Sequence, residues 1–585
     1  MQAPSSAMDS PSRMAFPAEF KFMGPRDGSC GQYSDSLYGS STSTLAYGSS
    51  PDNPFFNPSS MLGQSGLKLP SQGAAQIKHL APCVHPGSAV AASAAVASCP
   101  PASPASTCVD LLHCSLPTLL GTCEMLGHGM EDRTSICRQQ DAQLLSRLQV
   151  ETKCQLRDGS QRPLFVVAPL DVLVTRDNAG RNQFHIIEIN GTGISGLTNM
   201  SQESVRAVLA SFAEAPLSLL QENCLVLVAS SGQETFPPVS RTLHEKMLYI
   251  EALRRGFEAT GRECHITNMT RLEKRPDSMP RTGVTLVLGY MKQFRAQFML
   301  DATTHNVMLF GRPVHAAIND RFVLNIMHQF NHQVDLTTFT SLNAGFAAGA
   351  DKGIAYELYN QFFGSEEHGA HFGVMAPSMD FQKAQTREQL LEIIKARLDN
   401  GQGPVVIKPQ GTGCGHGIEF FFAPQTQEEV VEKVDRALQT VGSNYNMQCG
   451  GLPFTVCGFL DTAAINSEVG ETHKMNGHKF ELRIVVYRSG DELLAFPSIA
   501  KVAREAFDPE HPSNKKSLIN NITTSAKETA TAGAEFMLPL ANTHTLGLLG
   551  ISLEELTELC TASTHFIRYT IDQVQDNPEV FGLPA

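Results

Sequence analysis

The chain has 585 residues, 18% of them charged and 42% hydrophobic, with a formal net charge of −13 at pH 7. An acidic balance without a long basic run excludes a nucleic-acid partner held by a general basic surface, so any anion site must be local. Fourteen cysteines, seven before residue 140 and seven after with no Cys-x-x-Cys pair, form neither a disulfide framework nor a zinc site and suit a reducing compartment.

The length leaves room for about two to four domains. Residues 1–135 read as a disordered region: they are rich in Ser, Pro, Ala and Gly, and such a composition buries too little apolar surface to offset the entropy of ordering. Within them 109–126 is apolar enough for a short helix or a protein-partner segment. The N-terminus lacks the layout of a signal peptide or a mitochondrial presequence. No apolar run is long and unbroken enough to span a membrane. A soluble cytoplasmic protein, with neither membrane nor nucleic acid as partner, is the expectation.

Two apolar runs, 164–175 and 184–191, bracket Asp-Asn-Ala-Gly and predict an antiparallel hairpin reversing around 178–181. Period-2 alternation puts Phe184, Ile186, Glu188 and Asn190 on one face of the second strand. If Asp171 lies opposite Glu188, two carboxylates and an amide carbonyl stand side by side. These are hard oxygen ligands suited to Mg²⁺ (or Mn²⁺) carrying nucleotide phosphates. The competing reading is the wet face of an edge hairpin.

Residues 222–320 alternate strand and helix, with strands at 224–229, 263–267, 284–288 and within 307–318 and a helix over 243–260, an α/β pattern. The Ser230-Ser-Gly-Gln-Glu stretch at a strand end reads as a substrate loop or as a plain turn. His328/His332 and His368/His371 have helical spacing but no third ligand nearby, so solvated or capping histidines are the better reading. Asp351-Lys352 opens a helix over 353–363, where Lys352 alone would be a first-turn surface residue.

Residues 404–422 form a β-branched strand ending in Lys408-Pro409, then glycines at Gly411, Gly413, Gly415 and Gly417, then a second apolar strand from Ile418. Such glycine density lets backbone N–H groups close around a phosphate. The spacing is neither a Walker A loop nor the Rossmann G-x-G-x-x-G, and strand rather than helix follows. The bland alternative is a flexible hairpin tip. Cys414 inside the turn reads as a small filler before it reads as a redox position. Further on, alternation in 478–488 places Lys479, Glu481 and Arg483 on one face, and 551–574 is amphipathic, with Leu553, Leu556, Leu559, Cys560 and Phe566 near helical spacing.

The Lys408 loop resembles the phosphate-covering loop of ATP-grasp enzymes, and Asp171 with Glu188-Ile-Asn190 resembles their magnesium-binding strand pair. The resemblance covers about residues 160–585. It implies that Lys352, Lys408, Gly411, Gly413, Gly415, Gly417 and Glu481 bind ATP, and that Asp171, Glu188, Asn190 and Asn521 (chosen over Asn520) bind metal. Arg483 and Arg504 would serve the phosphate or acyl group, and 454–460 would be the adenine hinge, lacking the usual glutamate. In most of the family the metal strands follow the glycine loop; here they precede it, and an amphipathic helix that would lead into them comes last. A circular permutation, with precedent in eukaryotic glutathione synthetase, accounts for both, and close chain termini make it physically cheap. A second, degenerate copy upstream would need its own glycine loop before residue 164, and none is seen.

The implied architecture is α/β: α+β grasp lobes (336–585), an open α/β domain (221–335) and a permuted metal-hairpin segment (136–220), behind the disordered region. The implied activity is an ADP-forming ligase that activates a small-molecule carboxylate as an acylphosphate and joins it to an amine or thiol. Its rivals are a small-molecule kinase on the same lobes, and a nucleotide-binding interaction protein without turnover.

Overall fold

The computed structural model describes residues 142–157, 166–191, 193–194, 202–214, 221–230, 241–318, 322, 326, 329–331, 333–335, 339–343, 349, 351–412, 415–445, 451–466, 475–518 and 536–581. In chain order, helix α1 (Ala142–Glu151) and a short strand β1 (Cys154–Gln155) precede the hairpin β2 (Val167–Arg176) and β3 (Asn182–Ile189) and helix α2 (Gln202–Glu214). An α/β segment follows: β4 (Leu225–Ser230), α3 (Arg241–Ala259), β5 (Cys264–Asn268), β6 (Val284–Tyr290), short strands β7 (Phe298–Leu300), β8 (Val307–Leu309) and β9 (Arg312–Pro313), then β10 (Ala316–Ile318) and β11 (Thr340–Ser341). Next come α4 (Lys352–Phe363), β12 (Phe381–Ala384), α5 (Arg387–Asp399), β13 (Val405–Pro409), β14 (Glu419–Phe421), α6 (Gln427–Tyr445) and β15 (Phe454–Gly458). The described chain finishes with β16 (Phe480–Ser489), β17 (Glu492–Val502), β18 (Met537–Pro539) and α7 (Leu553–Asp576).

Three sheets carry the architecture, with β7, β8 and β9 forming a small antiparallel fourth. The largest runs β1-β17-β16-β2-β3, with β18 added on β17. Its strands pair antiparallel throughout, and β2 lies between β16 and β3. The second, β11-β10-β4-β6-β5, is parallel, the open α/β arrangement read from the alternation of strand and helix. Its β11, at 340–341, extends this sheet beyond residue 335. The third, β12-β15-β13-β14, is antiparallel and packs its core against α5 and α6 through Ile394, Val405, Ile407, Val434 and Phe454.

Local chemistry explains the elements that place the site. The β2–β3 turn closes because Asp177 Oδ1 accepts from the N–H groups of Ala179 (2.8 Å) and Arg181 (2.9 Å) while Gly180 takes φ +77°, a conformation glycine adopts without penalty. Asp351 caps α4, its Oδ1 accepting from Gly353 N at 2.7 Å and Ile354 N at 3.3 Å. A reciprocal Ser552–Glu555 capping box starts α7. Leu556, Leu559, Cys560 and Phe566 of α7 are buried with Leu170, Val172, Leu482 and Ile484 of the large sheet. One face of that sheet is therefore sealed by apolar packing, which leaves its other face to carry chemistry.

The hairpin differs from simple alternation in one respect. Asp171 does pair with Glu188, but its neighbour Val172 pairs with Ile186, so Ile187 is an unpaired bulge residue. Directly paired residues share a face and successive ones alternate. Glu188 therefore lies on the Asp171 face, opposite Phe184 and Ile186, both of which are in the apolar core. The uniform face expected for Phe184, Ile186, Glu188 and Asn190 is corrected by that single extra residue.

Candidate functional site

On the polar face of the large sheet the register sets Arg483 opposite Asp171, and Lys501 opposite Glu481. Arg483 grips Asp171 with both arms, Nε to Oδ1 at 2.9 Å and Nη2 to Oδ2 at 2.8 Å, and Lys501 Nζ donates to Oδ1 at 2.9 Å. Lys501 also forms an ion pair with Glu481. All but Glu481 are buried. Burial alone would raise the Asp171 carboxyl, but the Arg483 and Lys501 charges outweigh it and hold the group well below the usual carboxylate range. Burial pushes the Glu481 carboxyl up; Lys501 opposes the rise and the Asp171 charge adds to it. Arg483 completes its contacts on the carbonyls of Ile194 (3.0 Å) and Gly193 (3.3 Å). Further along β16 the same face turns apolar, and Val485 and Tyr487 join Val208 and Phe212 of α2.

At the end of β3, Glu188 Oε1 accepts from Lys352 Nζ at 2.9 Å, and Asn190 Nδ2 donates to Asp171 Oδ2 at 3.2 Å. Lys352 opens α4 yet is 7% exposed, so it is no surface residue. The cap residue Asp351 also accepts from Lys383 Nζ of β12 at 3.0 Å and from Gln410 Nε2 at 3.3 Å. Helix α4 thus ties the β12-β15-β13-β14 sheet to the hairpin of the large one.

Lys408 sits near the end of β13, half-buried, and its Nζ donates to the Tyr356 hydroxyl of α4 at 2.5 Å. Beyond it the chain turns through Gly411, Gly415 and Gly417 at φ +65°, +69° and +74°. A Cβ at Gly417 would come within 2.6 Å of Val441 Cγ2, so conformation and space both require glycine there. The turn is also held from the far side: Lys515, in the short helix Lys515–Leu518, donates to Ile418 O at 2.8 Å and pairs with Glu419 at 3.1 Å. Arg504, half-buried just past β17, is fixed through its backbone N–H to Lys516 O at 3.1 Å.

The structure therefore brings together Asp171, Glu188, Asn190, Lys352, Lys408, Glu481 and Arg483 from five separate strands or helices and the residue after β3. Gly413, Cys414, Asn520, Asn521, His328 and His332 lie outside the described residues, as does the Ser-Gly-Gln-Glu stretch after Ser230. His368, described, stacks on Phe362 at a centroid distance of 5.1 Å. Sequence reasoning missed Lys501 and Tyr356. Lys501 carried a signal, a lone cation near the end of a largely apolar strand. Tyr356 carried none beyond its place one helical turn after Lys352.

Two groups can be tested against these side chains. For a polyphosphate the fit is good. Among the described residues, Lys352, Lys383, Arg483 and Lys501 are each paired with a carboxylate, whereas Lys408, at the mouth of the turn, meets a phenol. For a divalent cation, no group of three or more His, Cys, Asp or Glu side chains able to hold one is found among the described residues. Asp171 is not placed as a free ligand, because both its oxygens accept from cations. Glu188 and Asn190 are hard donors two residues apart on the bulged strand end, and one or two protein ligands with substrate phosphates suffice for Mg²⁺.

No family model matches the chain, and no curated protein matches it. Among solved structures it is similar to a glutathione synthetase-like effector of Globodera pallida at 13% identity, over 68% of this chain and 85% of that one, with a TM-score of 0.28. It is similar also to D-alanyl-alanine synthetase A of Vibrio cholerae at 11% identity, over 50% of this chain and 72% of that one, with a TM-score of 0.25. A RimK domain ATP-grasp protein of Sphaerobacter thermophilus matches at 12% identity, over 47% of this chain and 99% of that one, with a TM-score of 0.20. The third of these is described as an ATP-grasp protein, and at TM-scores this low all three likenesses are distant. Among the described residues no helix is long and apolar enough to cross a membrane.

Proposed function

We propose that this chain is an ATP-dependent ligase of the ATP-grasp type, with the nucleotide phosphates held between the β13 turn and the polar face of the large sheet. One observation carries the reading: among the described residues Lys408, on β13 where the positive-φ glycines begin, bonds a phenol and forms no ion pair with a carboxylate, and that phenol lies one turn of α4 from Lys352 and its partner Glu188. A half-buried ammonium bonded to a phenol, beside a turn that glycines let close around an anion, is built to receive one. Lys352 supplies a second positive charge once its grip on Glu188 loosens.

Glu188 and Asn190 would hold Mg²⁺, which would offset phosphate charge when bound. Asp171 is assigned to holding Arg483 and Lys501 in place. Arg483, with Arg504 beyond β17, would meet an acceptor carboxylate on its way to the terminal phosphate. Buried, pre-oriented cations stabilise charge where γ-phosphoryl transfer develops it, without reorganising at the moment of reaction. Attack of the carboxylate oxygen on the γ-phosphorus releases ADP and leaves a bound acylphosphate; an amine or thiol then attacks its acyl carbon and expels inorganic phosphate. No nucleophile from the protein is needed. The position of β2 between β16 and β3 supports a circularly permuted order, because the hairpin joins strands some three hundred residues later in the chain.

A screen of amino acids, dipeptides and polyamines for stimulated ADP release in the presence of Mg·ATP tests the reading. Stimulation that requires both a carboxylate and an amine or thiol is the expected result. ADP release that requires only an alcohol substrate would replace the ligase with a kinase, and absence of nucleotide binding would remove both.

A further inference from the structure

Helix α4 carries the two cation contacts of the site one turn apart. Lys352 reaches Glu188, and Tyr356, four residues on and therefore on the same face, reaches Lys408. Tyr356 is fully buried and packs edge-on against Phe381 of β12 at 5.6 Å between ring centroids. Its hydroxyl therefore has little freedom to move. The N-terminal cap of the same helix is clamped by Lys383 of β12 and by Gln410 just past β13, so the helix and β13 are held in register around this contact.

The choice of partner has an electrostatic consequence. A carboxylate at hydrogen-bond distance would cancel most of the field of the ammonium, since opposite charges at such range attract strongly in a poorly solvated site. A phenol oxygen fixes the position of the nitrogen and leaves its charge intact. Burial holds the Tyr356 phenol up at about 12 despite the Lys408 charge, so it is neutral at physiological pH.

We propose that Tyr356 is a positioning residue for Lys408, fixing the ammonium at the mouth of the glycine turn, charged and bonded to no carboxylate among the described residues, where it waits for nucleotide phosphate. The assignment rests on the nucleotide reading above and adds to it the group that makes Lys408 competent. It also gives the hydroxyl a purpose: the ring packs on Phe381, and a phenyl ring would serve that packing equally well.

The test is a double-mutant cycle of Tyr356→Phe and Lys408→Ala, read by titration with ATP, ADP and AMP in the full chain. Phenylalanine keeps the ring and its packing, and thermal melts of each variant confirm folding. Tyr356→Phe is expected to weaken ATP and ADP about tenfold, the loss of one hydrogen bond to a charged group, and AMP less than about twofold. In the Lys408→Ala background it should have no further effect, since the two residues act as one unit. Equal losses for ATP and AMP, or additive losses in the double variant, would overturn the proposal, as would full ATP affinity in Tyr356→Phe alongside a loss in Lys408→Ala. Failure of the unmodified protein to bind ATP would overturn the nucleotide reading and the proposal with it.

Discussion

Arg483 and Asp171, 312 residues apart in sequence, face each other across β16 and β2 in a two-armed ion pair that Lys501 completes. The contact joins the early hairpin to the late strands and sets the charge of the site's floor. Removing the anion would leave buried Arg483 without its carboxylate and Lys501 with Glu481 alone, so Asp171→Asn should cost about 3–5 kcal/mol of stability at neutral pH. Because the folded-state carboxyl is held below its ordinary value, its contribution is fully present above about pH 4 and is lost as the pH falls toward the folded value. Urea unfolding of both proteins should show a gap at pH 7 that narrows below about pH 4. A gap constant with pH would contradict the assignment.

Glu188 occupies a different position, half-exposed and shared with Lys352. Glu188→Gln replaces a charged metal donor with a neutral one and frees Lys352. The Mg²⁺ concentration for half-maximal ADP release should rise several-fold, with turnover slowed. An unchanged Mg²⁺ requirement would move the cation elsewhere.

Much of this was legible in the sequence. The turn chemistry of Asp177 to Arg181, the Lys408 strand followed by glycines, and the polar alternation of Glu481 and Arg483 each rest on local rules of period and backbone freedom. The bulge at Ile187 was not legible, because an extra residue in one strand shows only when its partner is known. Nor was the role of Asp171. Its residue type suits a metal, and only the proximity of Arg483 and Lys501, set by long-range pairing, commits it to cations. Lys352 illustrates the same limit: at the first turn of a helix it reads as solvated until β3 is brought against it.

The hairpin forms one end of the largest sheet, with β2 inside it against β16 and β3 last in the order, and its contribution can be separated from that of the preceding segment. Deleting residues 1–130 should leave the thermal midpoint and ADP release unchanged. Deleting 1–195 removes β1, β2 and β3, strips Arg483 and Lys501 of Asp171 and uncovers the core side of β16. That protein should fail to fold, seen as loss of a cooperative melt. A cooperative, ATP-binding 196–585 fragment would contradict the sheet order.

Arg504, held through its backbone at the end of β17, is assigned to the acyl end of the site. Arg504→Ala should lower turnover by ten- to a hundredfold, on the order of 1.4–2.7 kcal/mol in transition-state stabilisation, and change ATP affinity less than about twofold. An equal loss in both would return this arginine to the nucleotide.

The central claim is that a substrate carboxylate takes the γ-phosphate and becomes an acylphosphate. The most direct measurement uses a carboxylate substrate identified by ADP release, labelled with ¹⁸O in its carboxyl group, with mass analysis of the released phosphate. Transfer of one labelled oxygen into phosphate, with ADP as the nucleotide product, is the predicted result; label retained entirely in the product would contradict it.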